Sequence, residues 1–501
     1  MRDSNFPASP TTRRRFLALG GGLVAAGALA ACSSGSSRNP VQPGSDAVAA
    51  AERRRRAASA TIRDFTLSAE PATVDLGGVQ VRTWTYGGCL PGQEIRLSRG
   101  EVLRAQVANA LPAPTTVHWH GLALRNDMDG TPDITQPEIA AGGSFPYEFT
   151  VPDAGTYWFH PHVGVQQDRG LYAPLIVEDP ADGRDYDLEA VVVLDDWLDG
   201  VDGRDPDREL RQLRDKGMAG MGGMSMDMPS DPNAPLGSDT GDVQYPYYLI
   251  NGRLNTDPAT FTARPGQRIR LRIINAAADT PFRVAVGGHR LRVTHTDGFP
   301  VQPVDAAAIL IGMGERYDAI VELADGVFPF VAVPEGKSGQ ALALIRTAPG
   351  TPPPLDIRPA ELTTPPMTAD RLTAIDAVRL PDKAPDRILD LTLGSDPKRY
   401  LWTLNGRTYD TRTPLDVTEG ERIRLRFINS TMMFHPMHLH GHTYQQRTPN
   451  TPGPRKDTSI VAPMQTLEVD FDATNPGQWM IHCHNAYHAE AGMMTVLSYI
   501  S

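Results

Sequence analysis

Cysteine is almost missing from this chain. Three in 501 residues cannot build a disulfide framework, so the fold must be held by packing. Excess positive charge is missing too. The 48 Lys and Arg against 59 Asp and Glu leave a formal −11, which argues against a nucleic-acid partner. Beyond the first 31 residues no stretch approaches 18 uncharged apolar residues, so the body is expected to be soluble. What is abundant is glycine (46) and proline (44), with 40% hydrophobic residues left to fill cores. That combination excludes collagen and wholesale disorder and fits a turn-rich globular chain of roughly three domains of ~150 residues.

The amino terminus reads as an address. Arg13-Arg14-Arg15-Phe16-Leu17 and the small, apolar run that follows resemble a twin-arginine export signal, and Leu29-Ala30-Ala31-Cys32 resembles a lipobox. Residues 1–31 are therefore expected to be a signal, Cys32 to be lipidated, and residues 32–60 to be a polar tether. This places the protein in the cell envelope, facing periplasm or exterior, touching membrane through lipid alone. Cys89, without a ligand-type neighbour, is expected to be a small buried apolar residue.

An internal repeat organises the body. Gly100 to Asn109, Gly266 to Asn275 and Gly420 to Asn429 share a turn glycine, an alternation of polar and apolar residues, and an Asn nine positions on. Ile269, Leu271 and Ile273 interleave with arginines, as do Ile423, Leu425 and Phe427, the pattern of a strand with one buried face. Offsets of about 160 residues make each copy a whole domain. Short strands punctuated by Gly, Pro and Asp predict three antiparallel β-sandwiches: 61–182, 183–348 and 387–501, with a linker at 349–386.

The repeat also places histidines. Nine residues after Asn109 stands His118-Trp119-His120, and nine after Asn429 stands His438-Leu439-His440, whereas the middle copy has Val284-Ala285-Val286. A second pair of strings, ending in His160-Pro161-His162 and His482-Cys483-His484, follows the same two domains. The middle domain thus reads as a spacer that lost its site. Residues i and i+2 of a strand share a face, so each His-x-His offers two imidazoles from one platform. His289, His295 and His442 lie outside the pattern and are expected to be structural.

His435, Cys483, His488 and Met493 supply two imidazoles, a thiolate and a thioether, the blue-copper electron-transfer set. In His482-Cys483-His484 the sulfur faces one side of the strand and both histidines the other, so two metal sites must lie back to back. The remaining eight histidines can hold about three copper ions. A mononuclear site wired to such a cluster fits four-electron reduction of O2 to water.

The strings HWHG, HPH, HPMHLHGH and HCHNAYHAEAGM, in this order from about residue 60 to the carboxyl end, resemble the multicopper oxidases, especially bacterial laccases and copper-efflux oxidases. The resemblance implies an all-β fold of three consecutive cupredoxin-like Greek-key sandwiches and four copper ions: one type 1, one type 2 and two type 3. It implies His435, Cys483, His488 and Met493 as type 1 ligands and His118 and His438 as type 2. His120, His160 and His484 would hold one type 3 ion, and His162, His440 and His482 the other. Asp129 is similar to the family carboxylate that delivers protons near the cluster. Some relatives carry a second carboxylate directly after the last type 1 histidine; this chain has Ala489 there and Glu490 next, and Glu490 is the candidate. Cys483, with His482 and His484, is the implied electron path.

The substrate is read from Lys216 to Pro229, where Met218, Met221, Met224, Met226 and Met228 fall in a polar, glycine-rich segment that cannot form a packed stripe. Thioethers there suit Cu(I), favouring a monomeric cuprous oxidase in copper detoxification that uses O2 as oxidant. The alternatives are a laccase-like oxidase of phenols, Mn(II) or Fe(II), and a blue-copper electron carrier without turnover.

Overall fold

The computed structural model describes residues 39–179, 183, 185–217, 233–237, 239–396, 398–449 and 451–501. The expected signal, Cys32 and the five methionines between 218 and 228 lie outside the described residues.

The three sequence repeats become one and the same strand in three cupredoxin-like β-sandwiches. Val102–Asn109, Arg268–Asn275 and Arg422–Asn429 each run parallel to the first strand of their domain, Ile62–Asp75, Leu188–Trp197 and Arg387–Asp396. Each pairs on its other edge, antiparallel, with a later strand: Ser144–Thr150, Arg316–Glu322 or Thr466–Asp472. The terminal Asn has a shared task. Asn109, Asn275 and Asn429 each accept the backbone N–H two residues on. Their amide groups donate across to the carbonyls of Ile139, Ile311 and Val461 respectively. An Asn side chain can close this local turn and still tie down a distant segment, because it carries both an acceptor and two donors.

Each repeat strand belongs to one sheet of its sandwich, and the second sheet carries the histidine strings where they occur. In the first domain that sheet orders Ile95–Ser98, Ala173–Glu178, Gly155–His160 and His118–His120. In the third it orders Leu415–Val417, Met494–Tyr499, Gln478–Cys483, His435–Leu439 and Thr458–Val461. The corresponding middle sheet holds Phe282–Val286, buried throughout.

Three expectations change. In the middle repeat both faces of the strand are buried, because Arg270 and Arg272 turn onto Asp318 at 2.6 and 3.2 Å and Arg272 reaches Glu189 at 3.0 Å. The arginine face there is a domain junction. The segment read as a tether is packed from residue 39 on. Val41 N–H donates to Tyr499 O, and α1 (Asp46–Arg55) buries Val48, Ala51 and Glu52. Glu52 accepts the Thr150 N–H and hydroxyl in the first domain, while Arg55 donates to Asn475 Oδ1 in the third. Arginine-rich composition resembles a solvated linker until tertiary structure supplies the partners. Cys89, finally, is exposed, at the tip of a turn where Gly87 and Gly88 both have positive φ. Among the described residues no helix is long and apolar enough to cross a membrane.

Candidate metal centres

Strand register places the histidines. His118 lies opposite His160 in the first domain, and His438 opposite His482 in the third, the same pairing in two sandwiches. The two domains meet with these strands face to face. His118 stacks on His440 with centroids 3.8 Å apart, and His120 on His438 at 3.9 Å. Facing nitrogens lie close: His118 Nε2 to His438 Nε2 3.4 Å, His440 Nε2 to His482 Nε2 3.1 Å, His162 Nε2 to His482 Nε2 3.3 Å, and His120 Nδ1 to His484 Nε2 3.2 Å. His118, His120 and His160 form a further triple of converging nitrogens, as do His162, His440 and His482.

The outer nitrogens show what these distances mean. The Nδ1 atoms of His118, His160, His438 and His482 face the carbonyls of Asp129, Pro161, Asp457 and Cys483 at 2.8–3.0 Å. A carbonyl only accepts, so each Nδ1 carries the hydrogen and each Nε2 is a bare lone pair. His440 Nδ1 likewise donates to Asp129 Oδ2 at 2.9 Å. Lone pairs thus point at one another across the cluster, and His160 Nε2 and His484 Nδ1 are buried without any hydrogen-bond partner. Burial, reinforced by the neighbouring histidines, holds His120, His160, His162, His440, His482 and His484 well below the usual histidine range, so protons do not relieve the repulsion. Soft, neutral, convergent imidazoles of this kind fit copper cations.

The second centre lies on the other side of the Gln478–Cys483 strand. Cys483 Sγ stands 3.7 Å from His435 Nδ1 and 3.6 Å from His488 Nδ1, and the two nitrogens are 3.1 Å apart. This compact triangle of two imidazoles and one thiol is fully buried. Met493 is buried as well, its carbonyl accepting the Cys483 N–H. His488 rides on α3 (Ala486–Glu490), whose N-terminus is capped by the Asn485 side chain. The third-domain repeat reaches the site too: Asn429 orients Thr431, whose hydroxyl lies 2.8 Å from His435 Nε2. Trp402 lies over His488 at 4.0 Å.

His488 Nε2 donates to Asp242 Oδ2 at 3.0 Å, and Tyr400 hydroxyl donates to the same oxygen. Burial opposes charge on His488, but Asp242 and the Cys483 side chain outweigh it and push its pKa up to about 10. Two imidazoles and one thiol converging in a buried pocket are a donor set that suits copper. Nearby Asp239 is pushed up to about 6, by burial first and by Asp242 next.

Asp129, expected from sequence, is fully buried; it also accepts from Thr131 at 2.6 Å, and its Oδ1 lies 3.3 Å from His118 Nδ1. Glu490 ends α3 two residues beyond His488, with Arg214 and Asp207 as its charged neighbours. His289 and His442 hold backbone groups, as Nδ1 of each meets a carbonyl two residues before it. Sequence reasoning missed Asp242, Asp279, Arg316 and Asp457. Asp279 Oδ1 accepts the Asp242 N–H and the Asn485 amide, and Oδ2 accepts Lys337, so one buried carboxylate of the middle domain holds both the Asp242 loop and the cap of α3. None of the four sits in a ligand-like string; the only local signal is a charged residue inside an otherwise apolar strand or tight turn.

Models of the multicopper oxidase family match residues 68–182, 225–350 and 382–500. The chain is 50% identical to the multicopper oxidase MmcO of Mycobacterium tuberculosis, over 87% of this chain and 86% of that protein. It is 27% identical to copper resistance protein A of Escherichia coli, over 87% and 92% of the two chains. Among solved structures, a multi-copper oxidase from Pseudomonas thermotolerans is 26% identical with a TM-score of 0.68, covering 88% of this chain and all of that one.

Proposed function

This chain belongs to the multicopper oxidases, enzymes coupling oxidation of a substrate to reduction of O2, and from that premise we propose that its substrate is Cu(I). The observation that carries this reading is the pair of carboxylates, Asp242 and Asp239, beside the outward nitrogen of His488, with Asp242 Oδ1 buried and unpartnered. Such a site favours a cation as the electron donor. The stretch holding Met218, Met221, Met224, Met226 and Met228 is flanked by residues at α3 on both sides. Arg214, in α2 (Pro206–Lys216), donates to Glu490 O at 2.6 Å, and Asp242 accepts the hydrogen bond from His488 Nε2. Thioethers of these methionines suit Cu(I) as ligands.

We assign four copper ions: type 1 at His435, Cys483, His488 and Met493, type 2 at His118 and His438, and type 3 at His120, His160 and His484 and at His162, His440 and His482. Copper bound there supplies one-electron acceptance at the Cys483 site and four-electron reduction of O2 at the histidine cluster. The residues do the rest. Cys483 joins the two sites covalently through its neighbours His482 and His484. Asp129, hydrogen-bonded to His440 through one oxygen and 3.3 Å from His118 Nδ1 through the other, is placed to hold and pass protons at the cluster. The residues around Glu490 give it no comparable path, and we assign it no second relay. We place the protein in the cell envelope on the resemblance of its amino terminus to an export signal. Export by the twin-arginine route and a lipid on Cys32 complete this reading.

The test is oxygen consumption by copper-loaded protein given Cu(I) and then a phenol, with bound copper counted. About four ions per chain and uptake faster with Cu(I) are expected. Faster uptake with the phenol would make it a laccase, and a single ion without uptake an electron carrier. Deleting residues 218–228 should reduce Cu(I) oxidation selectively; an equal loss with both substrates would remove the methionines from the assignment.

A further inference from the structure

His120 differs from the other cluster histidines whose hydrogen position is set. It faces the cluster through Nδ1, and Nε2 is turned outward to Asp457 Oδ1 at 3.0 Å and to the Thr458 hydroxyl at 3.1 Å, which itself donates to Asp457 Oδ1. Asp457 belongs to the third domain but is held by the second. Arg316 grips its carboxylate with two hydrogen bonds of 2.8 and 2.6 Å, both residues being fully buried. Asp297 accepts the backbone N–H groups of Asp457 and Thr458 with one oxygen and the Arg316 N–H with the other.

Two glycines make room for this junction. A Cβ on Gly121, at φ +89°, would meet Asp457 Oδ2 at 2.7 Å and collide with the Arg316 guanidinium. A Cβ on Gly314, at φ +82°, would meet His484 Cδ2 at 2.7 Å and His120 Cε1 at 3.0 Å. The first domain thus contributes His120 and Gly121, the second Gly314, Arg316 and Asp297, and the third Asp457 and His484. A carboxylate held this firmly against a histidine N–H fixes which ring nitrogen is bare and where it points.

We propose that Asp457, gripped by Arg316 and Asp297 of the middle domain, is the positioning residue that presents His120 Nδ1 to the cluster. The middle domain, though it carries none of the candidate ligands, completes the site. This rests on the assignment of copper to the histidine cluster.

The test uses two full-length variants that replace the buried cation identically and differ in one group. Arg316→Met with Asp457→Asn keeps a side-chain amide acceptor for His120 Nε2–H, and Arg316→Met with Asp457→Leu removes it, leaving only the Thr458 hydroxyl 3.1 Å away. Replacing a whole buried ion pair by residues of similar volume is compatible with folding, and melting of the metal-free proteins checks this. Copper retained per chain is measured after dialysis against graded chelator, with the visible absorption of the Cys483 site as internal reference. The Leu variant is expected to lose ~10–100-fold in affinity for part of the cluster copper, the Asn variant to stay within a few-fold of the parent, and both to keep the Cys483 site. Equal retention in both variants, or equal loss in both, overturns the proposal. A parent that holds no cluster copper overturns the copper assignment instead.

Discussion

The Cys483 site and the histidine cluster share one strand and yet are built on opposite plans. The first is assembled almost wholly inside the third domain, from the strands His435–Leu439 and Gln478–Cys483 and the short helix after them. Among the described residues only Asp242 reaches its metal-facing residues from the middle domain by a hydrogen bond, and it does so from outside. The second exists only where the first and third domains meet, since four of its histidines come from each. A site within one sandwich inherits its geometry from strand register. A site between two sandwiches needs something to set their distance and angle, and here the middle domain, read from sequence as a spacer, does that through Arg316, Asp297 and Gly314.

The sharpest way to break this contrast is Cys483→Ser. Turnover with any donor should fall by about three orders of magnitude or more, while cluster copper, counted by metal analysis, should remain; loss of both would mean that the sites are not separable. Gly314→Ala probes the other side. The added methyl group presses on His484 and His120, so O2 uptake should fall by about 10²-fold with the visible absorption of the Cys483 site intact. A change in that absorption would show that the middle domain braces both centres alike.

Asp242→Asn sharpens the reading of the electron intake. Removing the charge beside His488 should lower kcat/KM for Cu(I) by roughly 10-fold at low salt, with less effect at high salt and little on a neutral phenol. Equal effects on both donors would reduce Asp242 to a structural partner of His488. The smallest effect concerns the carboxylates packed where the domains meet. Burial, then Asp196, raises Asp168 well above the usual carboxyl range, while Tyr487 and Tyr245 donate to it. A raised folded-state pKa gives stability that is complete below the unfolded value and declines as pH rises above it. Asp168→Asn removes that decline, so the variant should match the parent near pH 4 and melt roughly 2–4 °C higher near pH 7. A variant less stable at both values would show that Asp168 is needed as a carboxyl group.

Much of the architecture was legible because its signals are local. Alternation and the Gly-to-Asn spacing are set by strand pleat and turn geometry, and they marked the corresponding strand in all three domains. His-x-His and His-Cys-His were legible for the same reason: residues two apart share a face. Arg270 and Arg272 show the limit. The alternation that marks a solvent face in Arg422–Asn429 marks a buried junction in Arg268–Asn275, and the local pattern is the same in both. Arg55 of α1 and Arg56 just after it were taken for a tether because their partners, Asn475 and Glu148, stand far along the chain.

By itself, then, the amino-acid sequence determined which residue types could bind copper and on which strand faces they stand, because both follow from side-chain chemistry and a period of two. Tertiary structure alone decided which nitrogen of each imidazole is bare, and which carboxylates orient them. Asp129 against His440, Asp242 against His488 and Asp457 against His120 are contacts between segments more than 240 positions apart. A hydrogen bond between such partners leaves no periodicity for a local pattern to carry.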